Sequence, residues 1–326
     1  MKYKSLGKSG LKVSRLVLGT MNFGNFTSRE EAFKIMDAAV NHGINFFDTA
    51  NVYGNSDSYG LTEEIIGDWF AQGNNRRQKV ILGTKVYGDM NDIDGGQNDD
   101  SLGLSAYKIK HHLEASLKRL KTDHIELYQL HHIDRDVPWE EIWGELEKHT
   151  MSGKIDYVGS SNFAAWDLAI AQSYASKRNF LGLISEQHKY NLLCRIPELE
   201  VLPAASHLGI GIIPYSPLSG GLLGGSALQN AGPRSLRQAE RLEKHRPQLE
   251  EYSKFCSEIG LGEDTVALAW LLANTSVTST IIGPRNVEQL EKCIKATEVN
   301  LSEDMMDRLD EIFPSLGGKA PEAYAW

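Results

Sequence analysis

Cysteine is scarce in this sequence, and long apolar runs are absent from it. The three cysteines among the 326 residues are widely separated and form no C-x-x-C pair, so neither a zinc site nor a disulfide framework is indicated. No stretch of about 18 uninterrupted apolar residues occurs, and the first residues lack the apolar core of a signal peptide. We therefore expect a cytoplasmic protein with structural thiols and no membrane segment.

Concentrated positive charge is also missing. The formal net charge is -9 at pH 7, and no long cluster of lysine and arginine is present. Nucleic acids and anionic membranes are bound by a basic surface that replaces their counterions. Neither is expected to be a partner of this protein.

Short β-branched runs alternate with longer amphipathic segments along the chain. The candidate strands are Leu16–Leu18, Asn45–Asp48, Val80–Lys85, Ile125–Leu130, Ile155–Ser160, Leu183–Gln187, Gly211–Tyr215 and Ser279–Ile282. Each precedes a plausible helix, the first capped by Ser28 and the fourth ending at Gly153. Such alternation is typical of parallel strands joined by helical crossovers. It predicts an α/β fold, a single (β/α)8 TIM-barrel domain over residues 1–326.

Three further segments fall outside these strand-helix units. Tyr3–Leu6 and Leu11–Val13 read as a β-hairpin that could cover the bottom of the barrel. Long loops are predicted after strands 3 and 7, at Tyr87–Gly103 and Ser216–Arg246, where barrel enzymes build active sites. The first loop is rich in aspartate but lacks the ligand order of a calcium-binding loop, so we interpret it as a solvated lid.

Polar residues stand where the predicted strands end. In chain order they are Thr20, Asp48, Lys85, His131, Ser161, Asn162, Gln187, Tyr215 and Gly283, and Tyr53 follows closely after the second strand. Barrel enzymes place their chemistry at strand carboxyl ends. An apolar barrel gains nothing from burying aspartate and lysine there unless the two pair with each other.

Four of these side chains suit the reduction of a carbonyl group by a nicotinamide. Tyr53 can give a proton to the developing alkoxide, and the Lys85 ammonium beside it would favour the phenolate. Asp48 would hold that ammonium and balance its charge. His131 could hydrogen-bond to the carbonyl oxygen from the other side. Each residue alone has a structural explanation, but their joint occurrence on three consecutive units indicates a site.

Three runs resemble the catalytic signatures of the aldo-keto reductase superfamily: Gly43–Gly54, Leu82–Lys85 and Ile125–His131. The resemblance extends from Gly7 to about Phe313. By position in these motifs it implies the catalytic tetrad of that family: Asp48, Tyr53, Lys85 and His131. The implied protein is an NADP-dependent oxidoreductase that reduces aldehyde or ketone groups of a small molecule to alcohols.

The same resemblance implies a site for NADPH or NADP+. Tyr215 matches the residue that stacks on the nicotinamide ring, and Arg285 the segment that holds the adenosine phosphate. The predicted cofactor contacts are Thr20, Ser161, Asn162, Gln187, Tyr215, Ser216, Pro217, Leu218, Gly220, Gly283, Arg285 and Gln289. No metal site is predicted. A Rossmann dehydrogenase is disfavoured, because no G-x-G-x-x-G follows a strand.

Two positions depart from the family pattern. Cys293 stands where asparagine is common, so a polar contact to the adenine is in doubt. His131 is followed by His132 rather than by one residue and then proline, which puts the shape of the fourth loop in doubt. The sequence leaves the physiological substrate and the oligomeric state open, although His131–Arg135 and Pro138–Glu141 look closest to sugar-related members.

Four other functions remain open at this point. A metal-dependent hydrolase could use Asp48, His131 and His132 as ligands, and a Schiff-base aldolase could use Lys85 as its nucleophile. Similarity to potassium-channel β-subunits suggests a cofactor-binding regulatory subunit. Similarity to enoyl reductases of nucleotide-linked deoxysugars suggests reduction of C=C, whereas the residue types favour C=O.

Overall fold

A curved sheet of eight parallel strands lies at the centre of the computed structural model, which describes residues 1–54, 58–90, 102–228 and 239–317. The strands of the chain are β1 Tyr3–Ser5, β2 Lys12–Ser14, β3 Leu16–Gly19, β4 Phe46–Asp48, β5 Ile81–Val86, β6 Ile125–Leu130, β7 Ile155–Ser161, β8 Leu183–Gln187, β9 Gly211–Ile212 and β10 Thr280–Ile282. From β3 to β9 each strand pairs with the next one in the chain, and β10 pairs with β3.

Backbone hydrogen bonds join the two edges of this sheet. Thr278 N donates to Ile212 O over 2.9 Å, and Ile281 N donates to Pro214 O over 3.0 Å. These bonds bring β10 beside β9, so the sheet curls round to form the (β/α)8 barrel that the sequence predicts. The carboxyl ends of all eight strands consequently face one mouth.

Helices fill every crossover between consecutive strands. They are α1 Arg29–Asn41, α2 Leu61–Ala71, α3 Ala106–Leu120, α4 Trp139–Met151, α5 Ala165–Lys177, α6 Val201–Leu208, α7 Ala239–Glu258, α8 Glu263–Ala273, α9 Val287–Lys295 and α10 Glu303–Ile312. The Ser28 hydroxyl caps α1 by accepting from Glu31 N, as expected. Gly153 follows the end of α4 with a φ of +73°, a conformation that favours glycine.

Two predicted boundaries are wrong, and both lie near the seventh strand. β9 ends at Ile212 instead of Tyr215, because Pro214 has no N–H and interrupts the regular ladder, although Tyr215 N still donates to His188 O over 3.0 Å. The predicted loop Ser216–Arg246 ends earlier, since α7 begins at Ala239. Residues 229–238 of that loop, and residues 91–101 of the loop Tyr87–Gly103, lie outside the described residues.

The N-terminal hairpin covers the end of the barrel opposite the mouth. β1 and β2 pair antiparallel, and Leu6 and Val13 pack into a buried cluster with barrel residues such as Val17. Lys8 N donates to Gly209 O over 2.8 Å. A side chain at Gly7 would sit 2.5 Å from that same carbonyl oxygen, so only glycine allows this close approach.

Candidate active site

A cleft of about 670 Å³ opens at the carboxyl ends of the strands. The predicted site residues that line it are Thr20, Asp48, Tyr53, His131, Ser161, Asn162, Gln187, Tyr215, Ser216, Pro217, Leu218, Gly220, Gly283, Arg285 and Gln289. The remaining one, Lys85, lies buried beneath its floor with 1% of its surface exposed. The barrel therefore brings the whole predicted set together in one elongated cleft.

The Lys85 ammonium is held at three points. Its Nζ donates to Asp48 Oδ2 over 2.6 Å, to Thr49 O over 2.7 Å and to Tyr53 OH over 3.1 Å. An ammonium has three donors, so all of them are used. Burial lowers the pKa of Lys85, but the charge of Asp48 and then Tyr53 raise it, and the net direction is upward. A protonated amine without a free lone pair is no Schiff-base nucleophile, which argues against the aldolase.

The Asp48 carboxylate is surrounded by donors. While Lys85 occupies Oδ2, Gln129 Nε2 donates to Oδ1 over 2.9 Å and Gln187 Nε2 donates to the same oxygen over 2.6 Å. A buried carboxylate is stable only when its oxygens are paired in this way. These contacts leave Asp48 poorly placed as a metal ligand, which argues against the hydrolase.

Tyr53 reaches into the cleft from the loop after β4. Burial raises the pKa of its phenol most, the Lys85 ammonium lowers that pKa, and the Asp48 carboxylate raises it again, so that the net direction is upward. Lys85 therefore makes this phenol a stronger acid than it would otherwise be, as expected, but desolvation and Asp48 outweigh its effect on the pKa. Tyr53 keeps its proton at neutral pH, which a proton donor requires.

His131 stands beside Tyr53 at the end of β6. The two rings meet edge to face with centroids 5.9 Å apart, and both line the cleft. Burial, the Lys85 ammonium and His132 hold the pKa of His131 well below its usual value. The imidazole is therefore neutral at physiological pH and has one N–H to donate.

The lowered pKa of His131 predicts a pH-dependent stability. The unfolded chain protonates this histidine near the usual histidine pKa of about 6.5, while the folded protein leaves it neutral. Below that pH the unfolded state binds more protons, so the free energy of unfolding falls as the pH falls. Between pH 7 and 5 we expect the free energy of unfolding of the wild type to fall by up to about 1.4 kcal/mol per pH unit more than that of His131→Gln. Urea unfolding at several pH values measures this difference. If the free energies of unfolding of the two proteins changed equally with pH, His131 would not be neutral in the folded protein.

Asn162 lies at the middle of the cleft, within a network of hydrogen bonds. Asn162 has a φ of +62°, and its Nδ2 donates to His131 O over 3.1 Å and to Ser161 Oγ over 2.9 Å. Tyr215 OH donates to Asn162 Oδ1 over 2.7 Å, which fixes the phenol ring at the floor of the cleft. An Asn side chain anchored at both ends holds the strained loop after β7 in one conformation.

The backbone that forms the wall of the cleft after Tyr215 makes several sharp turns. Ser216, Ser219 and Gly220 have φ values of +54°, +51° and +73°. Asn191 Nδ2 donates to Ser216 O over 2.8 Å, and Arg241 Nη2 donates to Ser219 Oγ over 2.8 Å. These two bonds hold the backbone of this wall in one conformation.

Arg285, Lys292 and the Asp264 carboxylate line the far end of the cleft. The Arg285 guanidinium lies 5.1 Å from the Phe26 ring centroid, and no carboxylate of the described residues forms an ion pair with it. Gln289 Oε1 accepts from Arg285 N over 2.9 Å, so Gln289 contributes by fixing the turn that carries the arginine. Lys292, paired with Glu288, lines the same end together with Cys293.

Three cleft or network residues were not predicted from the sequence. Asn22 Nδ2 donates to Gly283 O over 2.8 Å and joins the loops after β3 and β10. His132 lines the cleft and stacks on His131, with ring centroids 5.7 Å apart. Gln129 is fully buried inside the barrel and contacts Asp48. Gln129 gave a signal as an amide between apolar residues near the end of β6, and His132 gave one as the second histidine after that strand.

In the described parts of the chain no group of three or more His, Cys, Asp or Glu side chains could hold a metal ion. No described helix is both long enough and apolar enough to cross a bilayer.

Comparison with known proteins identifies the family. The model of the aldo/keto reductase family matches residues 15–313. The uncharacterized oxidoreductase YrpG of Bacillus subtilis (strain 168) is 59% identical over 100% of both chains. A versiconal hemiacetal acetate reductase of Aspergillus parasiticus is 32% identical over 95% of this chain and 96% of its own. A probable voltage-gated potassium channel subunit beta of Arabidopsis thaliana is 33% identical over 99% of this chain and 100% of its own. The chain belongs to the aldo/keto reductase family, a family of oxidoreductases that generally use NAD(P)H on small carbonyl compounds.

Proposed function

We propose that this protein is an NADPH-dependent reductase that converts aldehydes and ketones to alcohols, with Tyr53 as the general acid. One observation carries the proposal: the Tyr53 hydroxyl lies in the cleft, 3.1 Å from a Lys85 ammonium that Asp48 holds in place. Sugar-related carbonyl compounds are included among the proposed substrates. Residues 1–326 would act as one reductase domain.

The residues around Tyr53 suit the charge changes of the reaction. The bound cofactor supplies hydride to the carbonyl carbon. The neutral His131 ring and the Tyr53 hydroxyl can both donate to the carbonyl oxygen, where negative charge develops. Tyr53 then gives its proton to the alkoxide, and the Lys85 ammonium stabilises the phenolate that remains. Asp48 keeps Lys85 charged and in place throughout.

The shape of the cleft supports the cofactor proposal. From Tyr53 the cleft runs past Asn162 and the turns at residues 216–220 to Arg285. Ser161 and Asn162 would hold the carboxamide, Tyr215 would stack on the nicotinamide ring, and Arg285 would bind the adenosine 2′-phosphate. A guanidinium that no carboxylate of the described residues pairs with is suited to a phosphate, which it binds by paired, charge-assisted hydrogen bonds.

A regulatory function is the second candidate, because relatives named as potassium channel β-subunits match nearly the whole chain. Such a protein needs the cofactor cleft but no proton donor. The three-point anchoring of Lys85 serves no purpose in cofactor binding alone, since it is directed at the Tyr53 hydroxyl. The geometry therefore favours an enzyme.

An α,β-unsaturated aldehyde tests both the activity and the bond that is reduced. We expect the purified protein to oxidise NADPH with this substrate and to give mainly the allylic alcohol. Tyr53 and His131 direct the carbonyl carbon at the cofactor, and the bulk of His131 opposes the deeper position that a β-carbon would need.

The products are identified by NMR after one equivalent of NADPH. A predominantly saturated aldehyde would show that the enzyme is an enoyl reductase. No consumption of NADPH with this or simpler aldehydes would leave the regulatory function as the better explanation.

A further inference from the structure

We propose that Gln129 is a positioning residue that sets how Gln187 recognises the nicotinamide amide. The proposal rests on the proposed function in so far as a nicotinamide cofactor occupies the cleft. Gln129 lies at the penultimate position of β6, fully buried, and is separate from the residues that face the ligand.

The side-chain amides of Gln129 and Gln187 form a closed triangle with Asp48. Gln129 Nε2 donates to Asp48 Oδ1 over 2.9 Å, and Gln187 Nε2 donates to that oxygen over 2.6 Å. The third side runs from Gln187 Nε2 to Gln129 Oε1, over 2.7 Å. Because a carboxylate only accepts, both amides must turn their nitrogen towards Asp48.

This triangle leaves Gln187 with a single outward group. Both hydrogens of its Nε2 are used inside the barrel, one on Asp48 and one on Gln129. Its Oε1 is therefore the atom available to a ligand in the cleft, and that atom can only accept. The subsite beside Gln187 should select a ligand that donates a hydrogen bond, such as the amino group of a carboxamide.

The barrel interior makes room for Gln129 on both sides. Gly159 of β7 pairs with Gln129 in the sheet, and a Cβ there would lie 3.2 Å from Gln129 Cγ. A Cβ at Gly83 of β5 would lie 3.1 Å from Gln129 Nε2. Glycine is unfavourable in strand interiors and often marks a close approach, as it does here on both neighbouring strands. The two glycines therefore leave room for the Gln129 side chain, and Gly159 leaves room for Ser185 Oγ as well, which a Cβ there would approach even more closely.

The test compares the affinities of NADP+ and of its 3-acetylpyridine analogue, in which a methyl ketone without an N–H replaces the carboxamide. Dissociation constants are measured by quenching of protein fluorescence, so no turnover is needed. We expect the wild type to bind NADP+ about tenfold more tightly, since the analogue leaves the Gln187 acceptor unpaired. In Gln129→Met, Gln187 loses one of its two anchors, and this preference should fall below about threefold.

Ser185→Ala is the matched control. Ser185 is a buried interior neighbour whose hydroxyl has no hydrogen-bond partner, so its removal should leave the preference unchanged. A merely structural role for Gln129 would lower the melting temperature of Gln129→Met and leave the preference at its wild-type value, and that result would overturn the proposal. If Gln129→Met does not fold, Gln129→Asn, whose shorter amide cannot span the triangle, is measured instead.

The outcome is independent of catalysis. A wild type that binds NADP+ but reduces no carbonyl would refute the proposed function, while the ratio of dissociation constants would still decide the part played by Gln129.

Discussion

Tyr53→Phe should reduce carbonyl-reducing turnover by about 10²–10⁴-fold and leave the affinity for NADPH nearly unchanged. The substitution removes the hydroxyl and keeps the ring, so the cleft loses its proton donor and little else. Lys85 retains Asp48 and Thr49 as partners, and water in the cleft can replace the lost hydroxyl. Single-turnover kinetics with a simple aldehyde measures the chemical step directly.

Tyr107→Phe serves as the control, because Tyr107 is an exposed residue on α3, 48% accessible. It should match the wild type in both turnover and affinity. A Tyr53→Phe protein that keeps more than half of the wild-type rate of the chemical step would show that the proton comes from another group.

The second large effect concerns the choice of coenzyme. Arg285→Ala should weaken the binding of NADPH by about 10–100-fold and change that of NADH little, since only NADPH carries the 2′-phosphate. Isothermal titration with both coenzymes gives the two affinities. Higher salt should weaken NADPH binding to the wild type and have less effect on the variant.

Arg246→Ala is the matched control for charge. Arg246 lies on α7, where it pairs with Glu243 and does not line the cleft. Its loss should alter neither affinity. Equal weakening of NADPH and NADH in Arg285→Ala would mean that the guanidinium does not contact the 2′-phosphate.

The sequence predicted correctly which residues meet at the candidate site where the fold itself brings distant residues together. Strand ends in a barrel share one mouth, so the polar residues after β4, β5 and β6 had to meet. The structure brings Asp48 and Lys85 within 2.6 Å of each other, as their motifs predict. The barrel is confirmed because its alternation of strands and helices is repeated along the chain. The hairpin is confirmed as well, from two short runs on either side of a glycine-containing turn.

Properties that depend on the sum of several contacts could not be predicted. The direction of the Tyr53 pKa shift is a balance of burial against two opposite charges, and a motif shows only that the charges are present. The orientation of the Gln187 amide depends on Gln129, to which it donates. These two residues belong to β6 and β8, which flank β7, and they meet only inside the folded barrel. The start of α7 was missed because its mean polarity is high and Pro247 interrupts it, while its buried stripe of Leu242 and Leu249 is thin.

The joining of β3 to β10 and of the hairpin to Gly209 also determines the order in which the molecule can assemble. Leu16 of β3 pairs with Thr280 of β10, so β3 has no partner on this side until β10 has been synthesised. Until then the growing chain exposes an unpaired strand edge, the kind of surface that invites aggregation and slows folding. The barrel therefore cannot close until β10 has been synthesised.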